Sequence, residues 1–158
     1  MSSVHKINLK HLIASLAISL GTGALSGFLS MGAMQDFENA AQPPLSPPSF
    51  LFPIVWTILF TLMGISSYII FESDHDKRTK ALVLYGVQLA VNFFWPLLFF
   101  NLNAYLFAFL WLILLIILVI NMITTFYEIN KTAALLQLPY LAWITFAAYL
   151  NFGVYVLN

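Results

Sequence analysis

The chain has 158 residues, of which 61% are hydrophobic and only 8% charged, and its net charge is zero. A soluble domain carries about 25% charged residues, so this chain lacks the polar surface to face water on all sides. With no excess of Lys and Arg it also lacks the basic patch that a nucleic-acid backbone requires. The absence of cysteine removes disulfides, thiolate nucleophiles and Cys-ligated metals together.

Crossing the hydrocarbon core takes about 20 apolar residues in a helix. Stretches of that kind run at about His11–Met31, Phe50–Phe71, Ala81–Phe100, Ala104–Phe126 and Ala133–Leu157. The expected fold is therefore all-α, one integral membrane bundle of five transmembrane helices. The first stretch is too long for the roughly 7–15-residue core of a cleavable signal and reads as a span. It carries a small-residue stripe, Ser15, Ser19, Gly23 and Gly27, which predicts close helix packing.

After it comes a stiff connector, Gln42-Pro43-Pro44-Leu45-Ser46-Pro47-Pro48, whose prolines fix φ and lack N–H groups. It reads either as a rigid link or as a lid over the mouth of the bundle. Pro53 then falls in the first turn of span two, where a missing donor costs little. On that span Phe52, Trp56 and Phe60 recur every four residues and share one face, as packing or as the wall of a site.

Span three places Gln88, Asn92 and Trp95 on one face just before Pro96. Such amides are either interhelical glue or the polar anchor of a pocket for a mostly apolar ligand. Gly86 and Ala90, on another face, form a small-xxx-small pair and a candidate homodimer seam. Span five repeats the theme: Tyr140 and Trp143, then Ala147 and Asn151, with the small Ala147 leaving a notch between larger neighbours.

No span carries a charged residue in its interior, which argues against an ion or proton path. His5, His11 and His75 sit near the ends of spans, so the interior offers no His or Cys to hold a haem or another metal. No cofactor is expected. The Asn130-Lys131-Thr132 sequon falls on the side expected to be cytoplasmic and carries no weight.

With five spans, Lys6, Lys10, Lys77, Arg78, Lys80 and Lys131, all the Lys and Arg of the chain, share one side. The positive-inside rule puts that side and the N-terminus in the cytoplasm, as in a bacterial cell membrane.

Three motifs in order resemble the translocator protein family, whose bacterial members are called tryptophan-rich sensory proteins. They are Phe52-Pro53-Ile54-Val55-Trp56 after the proline loop, Gln88 through Trp95, and Pro139-Tyr140-Leu141-Ala142-Trp143 running on to Asn151. The resemblance covers most of the chain. It implies a five-helix bundle with a pocket toward the first loop that binds porphyrins and, in animal members, cholesterol and synthetic isoquinoline and benzodiazepine ligands. Trp56, Asn92, Trp95, Trp143, Ala147 and Asn151 match pocket positions, with Tyr140 beside them. Some bacterial members degrade protoporphyrin in light, and in that case Trp56 and Trp143 would be the catalytic indoles.

The chain departs from the family at Leu45, where many members have Trp, and at Phe37, in place of a Tyr or Trp. Both changes remove aromatics expected to stack on a tetrapyrrole. The C-terminal cholesterol motif is missing too, because no Lys or Arg follows Tyr149 or Tyr155.

The leading expectation is a binder or sensor of a porphyrin or similar flat hydrophobic molecule. A transporter and a light-dependent porphyrin-degrading enzyme are the alternatives. Orientation is directly testable, since the native chain has no cysteine. An impermeant thiol reagent on intact cells should label Ser46→Cys and spare Ser3→Cys; the opposite pattern would invert the topology.

Overall fold

The computed structural model describes residues 6–158, which leaves Ser3 and His5 outside. Regular structure in the described residues is entirely helical: α1 Leu9–Phe37, α2 Leu51–Phe71, α3 Arg78–Pro96, α4 Tyr105–Ile129, α5 Lys131–Leu136 and α6 Leu138–Leu157. A π-helical turn, Leu97–Asn101, prolongs α3, and α5 with α6 makes one span, so five segments are long and apolar enough to cross a membrane. Large apolar side chains such as Phe28, Leu110 and Ile117 point outward along these spans. A contiguous coat of that kind is abnormal in water and ordinary against lipid. The molecule is a multi-pass membrane protein.

Local chemistry sets the ends of the helices. Asn8 caps α1 by accepting from the His11 N–H (3.2 Å), and Asn130 caps α5 by accepting from the Ala133 N–H (3.0 Å). Pro96 has no N–H to continue the α-ladder, and the backbone beyond it widens until Leu102 N–H reaches the Leu97 carbonyl (3.0 Å). Asn103 then turns the chain with a positive φ of 50°, which a short amide side chain tolerates. Helix α1 runs six residues past the apolar run, to Phe37.

The helices form a ring: α1 packs on α2, α2 on α5, α5 and α6 on α4, α4 on α3, and α3 with its π turn on α1. All the described basic residues gather at one end of this ring, here called the basic end; the proline loop marks the other, the loop end. At the basic end His11 pairs with Glu72 and Lys77 with Glu128. These exposed pairs contribute only about 0–1 kcal/mol each.

Close packing near the basic end depends on small residues. An added Cβ on Gly64 would lie 2.7 Å from Ser19 Oγ and 3.0 Å from the Leu16 Cα, so α1 and α2 touch backbone to backbone there. One turn further along α1, Gly23 accommodates the ring of Phe60, while Gly27 faces open space and takes no part. Ser66 Oγ ties α2 to the Ala133 carbonyl (2.7 Å). Gly64→Ala should therefore destabilise the protein by about 1–3 kcal/mol, read as a lower melting temperature in detergent. Gly27→Ala should leave it unchanged or slightly raised.

Candidate functional site

Helix α2 packs closely on α5 but not on α6, so the two spans diverge toward the loop end. Aromatic side chains fill the wedge between them. The Phe52 ring meets Trp143 edge-on at 5.9 Å, and the Trp56 ring meets Tyr140 at 6.3 Å and lies 5.6 Å from Phe60. The expected aromatic stripe on α2 therefore serves two surfaces. Phe60 packs on Gly23 of α1, and Phe52 with Trp56 faces α6. Aromatic pairs contribute about 0.5–1.5 kcal/mol each beyond burial.

Tyr140 joins the wedge to a polar bridge. Its hydroxyl donates to Gln88 Oε1 and accepts from Asn92 Nδ2, both at 2.7 Å. A hydroxyl has one proton, so the two amides it links must present opposite ends to it. Asn92 offers its NH₂ and keeps Oδ1 without a partner and not fully enclosed, although the residue is only 5% exposed. That leaves one free hydrogen-bond acceptor beside the aromatic wedge.

A second bridge lies nearer the loop end. Asn151 accepts from the Trp95 indole N–H (3.1 Å) and donates to the Tyr105 carbonyl (2.8 Å). Both ends of this amide are engaged and the residue is 1% exposed, so it bolts α3, α4 and α6 together. Trp95 also stacks on Phe99 at 5.0 Å. Ala147 is buried on the same face of α6, between Ile144 and Asn151.

The proline loop is seated on α6. Pro43 rests against Gly153, where a Cβ would come within 2.5 Å of its ring. The Tyr149 hydroxyl donates to the Pro44 carbonyl (2.8 Å), and the Asn158 side chain pairs with both the N–H and the C=O of Ala41. Pro44 followed by Leu45 at φ 69° matches a type II turn. The Leu45 side chain, 81% exposed, points away from the bundle. Phe37 is no part of the loop: it ends α1 and packs edge-on against Phe99 and Phe100.

The structure thus brings Trp56, Tyr140, Trp143 and Asn92 together and sets Trp95 with Asn151 in a separate bolt. Sequence reasoning missed Tyr105, which acts through a backbone carbonyl, and the Asn158 clasp on Ala41, 117 residues away. Neither leaves a local pattern. It also missed Gln137, fully buried one turn before Tyr140, although its spacing from Ala133 and Tyr140 marks an inward face. Two open grooves lie away from the wedge. One of about 640 Å³ separates the start of α4 from the end of α6, and one of about 300 Å³ is lined by Gly86 and Ala90 with Thr22 and Phe93.

A five-span membrane bundle with an aromatic wedge between two spans and a proline loop seated on the last of them defines the class. Residues 14–157 match the TspO/MBR family, and the chain belongs to it. It is 39% identical to the tryptophan-rich protein TspO of Archaeoglobus fulgidus, over 96% of this chain and 99% of that one. It is 33% identical to the Chlorobaculum tepidum protein of the same name, over 92% and 97% respectively. Similarity reaches the human translocator protein, at 32% identity over 89% of this chain and 85% of the relative.

If Asn151 is a bolt, Asn151→Leu strands a buried indole N–H and a backbone carbonyl. It should cost about 1–2 kcal/mol in reversible unfolding in detergent, with helical content retained. An unchanged midpoint would show that the bridge contributes nothing.

Proposed function

We propose that the protein is a membrane-embedded binder of flat, largely apolar molecules of the porphyrin kind, with a sensory or regulatory role. The observation that carries this reading is the wedge itself. Two spans diverge, aromatic rings bridge them, and Asn92 keeps an unpartnered oxygen beside those rings. Phe52, Trp56 and Trp143 would stack on the faces of the guest, and Asn92 Oδ1 would accept from an N–H or O–H on it. The Pro43–Pro44 segment, clasped to α6, would cover it. Ala147 would leave room beside Trp143, while Trp95 and Asn151 would hold the frame. The names of the relatives, which pair "tryptophan-rich" with "translocator", fit a ligand-handling role.

In the same reading the basic end faces the cytoplasm of a bacterial cell, by the positive-inside rule. Gly86 and Ala90 line the 300 Å³ groove on the outer face of α3 and offer a seam to a second copy. Gly86→Leu should then shift the particle mass in mild detergent from dimer to monomer, and a mass that does not change removes the seam.

The pocket is tested by titrating the purified protein with protoporphyrin and following tryptophan emission. Asn92→Ala should weaken binding roughly 3- to 10-fold, and because it also removes one arm of the Tyr140 bridge it should cost about 1 kcal/mol of stability. A large drop in melting temperature with unchanged affinity would make Asn92 an interhelical fastener instead.

A further inference from the structure

Below the Tyr140 bridge, toward the basic end, the bundle encloses polar atoms with no partner: Tyr85 OH, Gln88 Nε2, and both Nε2 and Oε1 of Gln137. Gln88 and Gln137 are 0% exposed and Tyr85 6%. Helical register brings these residues together. On α3, Tyr85 sits one turn to the basic side of Gln88, on the inward face that also carries Ala81 and Asn92. On the last span, Gln137 sits one turn to the basic side of Tyr140, on the face that carries Ala133 and Ile144. The Gln88–Tyr140 bond pins the two faces to each other. The Tyr85 hydroxyl looks toward Ser67 and Ser19 and closes a hydrogen bond to neither. Those serines donate to the carbonyls of Gly64 and Leu16 and keep acceptor lone pairs free.

Leaving such groups bare in mid-membrane costs about as much as the bundle gains from several good contacts. The set is neutral and mixed. Gln88 supplies donors, Gln137 supplies donors and an acceptor, Tyr85 supplies one of each, and the serines add acceptors. With no carboxylate among them, the set does not suit a metal cation. A neutral molecule that both donates and accepts in a small space satisfies it, and water is that molecule.

We propose that Tyr85, Gln88 and Gln137 form a buried hydration site in the middle of the membrane, with bound water closing the hydrogen bonds that the protein leaves open. The site adjoins the bridge above it. Gln88 turns Oε1 to the Tyr140 proton, which leaves its Nε2 to donate to bound water. The Tyr140 oxygen is then left for Asn92 Nδ2, and Asn92 Oδ1 stays free.

Water-edited solid-state NMR of the full chain in lipid bilayers tests the site. Magnetisation from water should reach the Gln88 and Gln137 side-chain amides as quickly as it reaches the exposed residues 72–78, and should not reach the equally buried Met63 and Met122 methyls on that time scale. Gln137→Met should slow the transfer to Gln88 while the wild-type fold persists. Silence from either glutamine amide in the wild type would overturn the proposal. Should the variant fail to fold, the wild-type spectrum alone decides.

Discussion

Inside a bilayer an amide or hydroxyl has no solvent to fall back on, and the arrangement of this bundle follows from that constraint. Tyr140 is where it acts most strongly. Its hydroxyl stands between Gln88 and Asn92 and satisfies one end of each. Helices α3 and α6 are not packed side by side; long inward side chains span the distance between them. The bridge and the Trp95–Asn151 bolt nearer the loop end therefore do for this pair of helices what backbone proximity does elsewhere in the ring. A consequence is directional. Because the tyrosine has one proton, it donates to the oxygen of one amide and accepts from the NH₂ of the other.

The two halves of the bundle are held by different forces. Toward the basic end, Gly64 and Ser19 let α1 and α2 meet at backbone distance, and Ser66 fastens α2 to the start of α5. Dispersion between close surfaces stabilises helix pairs in lipid, where there is no hydrophobic effect between them. Toward the loop end, α2 and α6 separate and bulky rings occupy the space. Ring contacts are individually weak and geometrically tolerant, whereas the other half is set by contacts at backbone distance. The proline loop is attached to α6 at the loop end through Pro43, Pro44 and Ala41.

Placement also changes the weight of the two departures from the family pattern. Phe37 belongs to an aromatic cluster with Phe99, Phe100 and Trp95 that caps the loop end of α3. Its replacement for Tyr or Trp thus concerns packing more than a lid. Leu45 is different. It lies at the corner of the loop in a left-handed conformation with its side chain in the open, so the loop turns no aromatic toward the bundle from that position.

Much of this protein was legible in one dimension. Five long apolar runs, positive charge confined to one side of the bundle, and proline or asparagine at the breaks specify the spans, because hydrocarbon forbids unpaired backbone and helices solve that locally. Helical periodicity likewise placed Gln88, Asn92 and Trp95 on one face, and Tyr140, Ala147 and Asn151 on another. Periodicity says which residues share a face and nothing about what stands opposite. Whether an amide is a bolt or an anchor depends on its partners, and these lie up to 117 residues away along the chain. Only the folded arrangement separated Asn151, with both ends engaged, from Asn92, with one end free. It alone showed Gln137 and Tyr85 to be buried without partners, and it alone divided the α2 stripe between two neighbours. Those distinctions are set by tilt and divergence between helices, which the packing of the whole bundle decides.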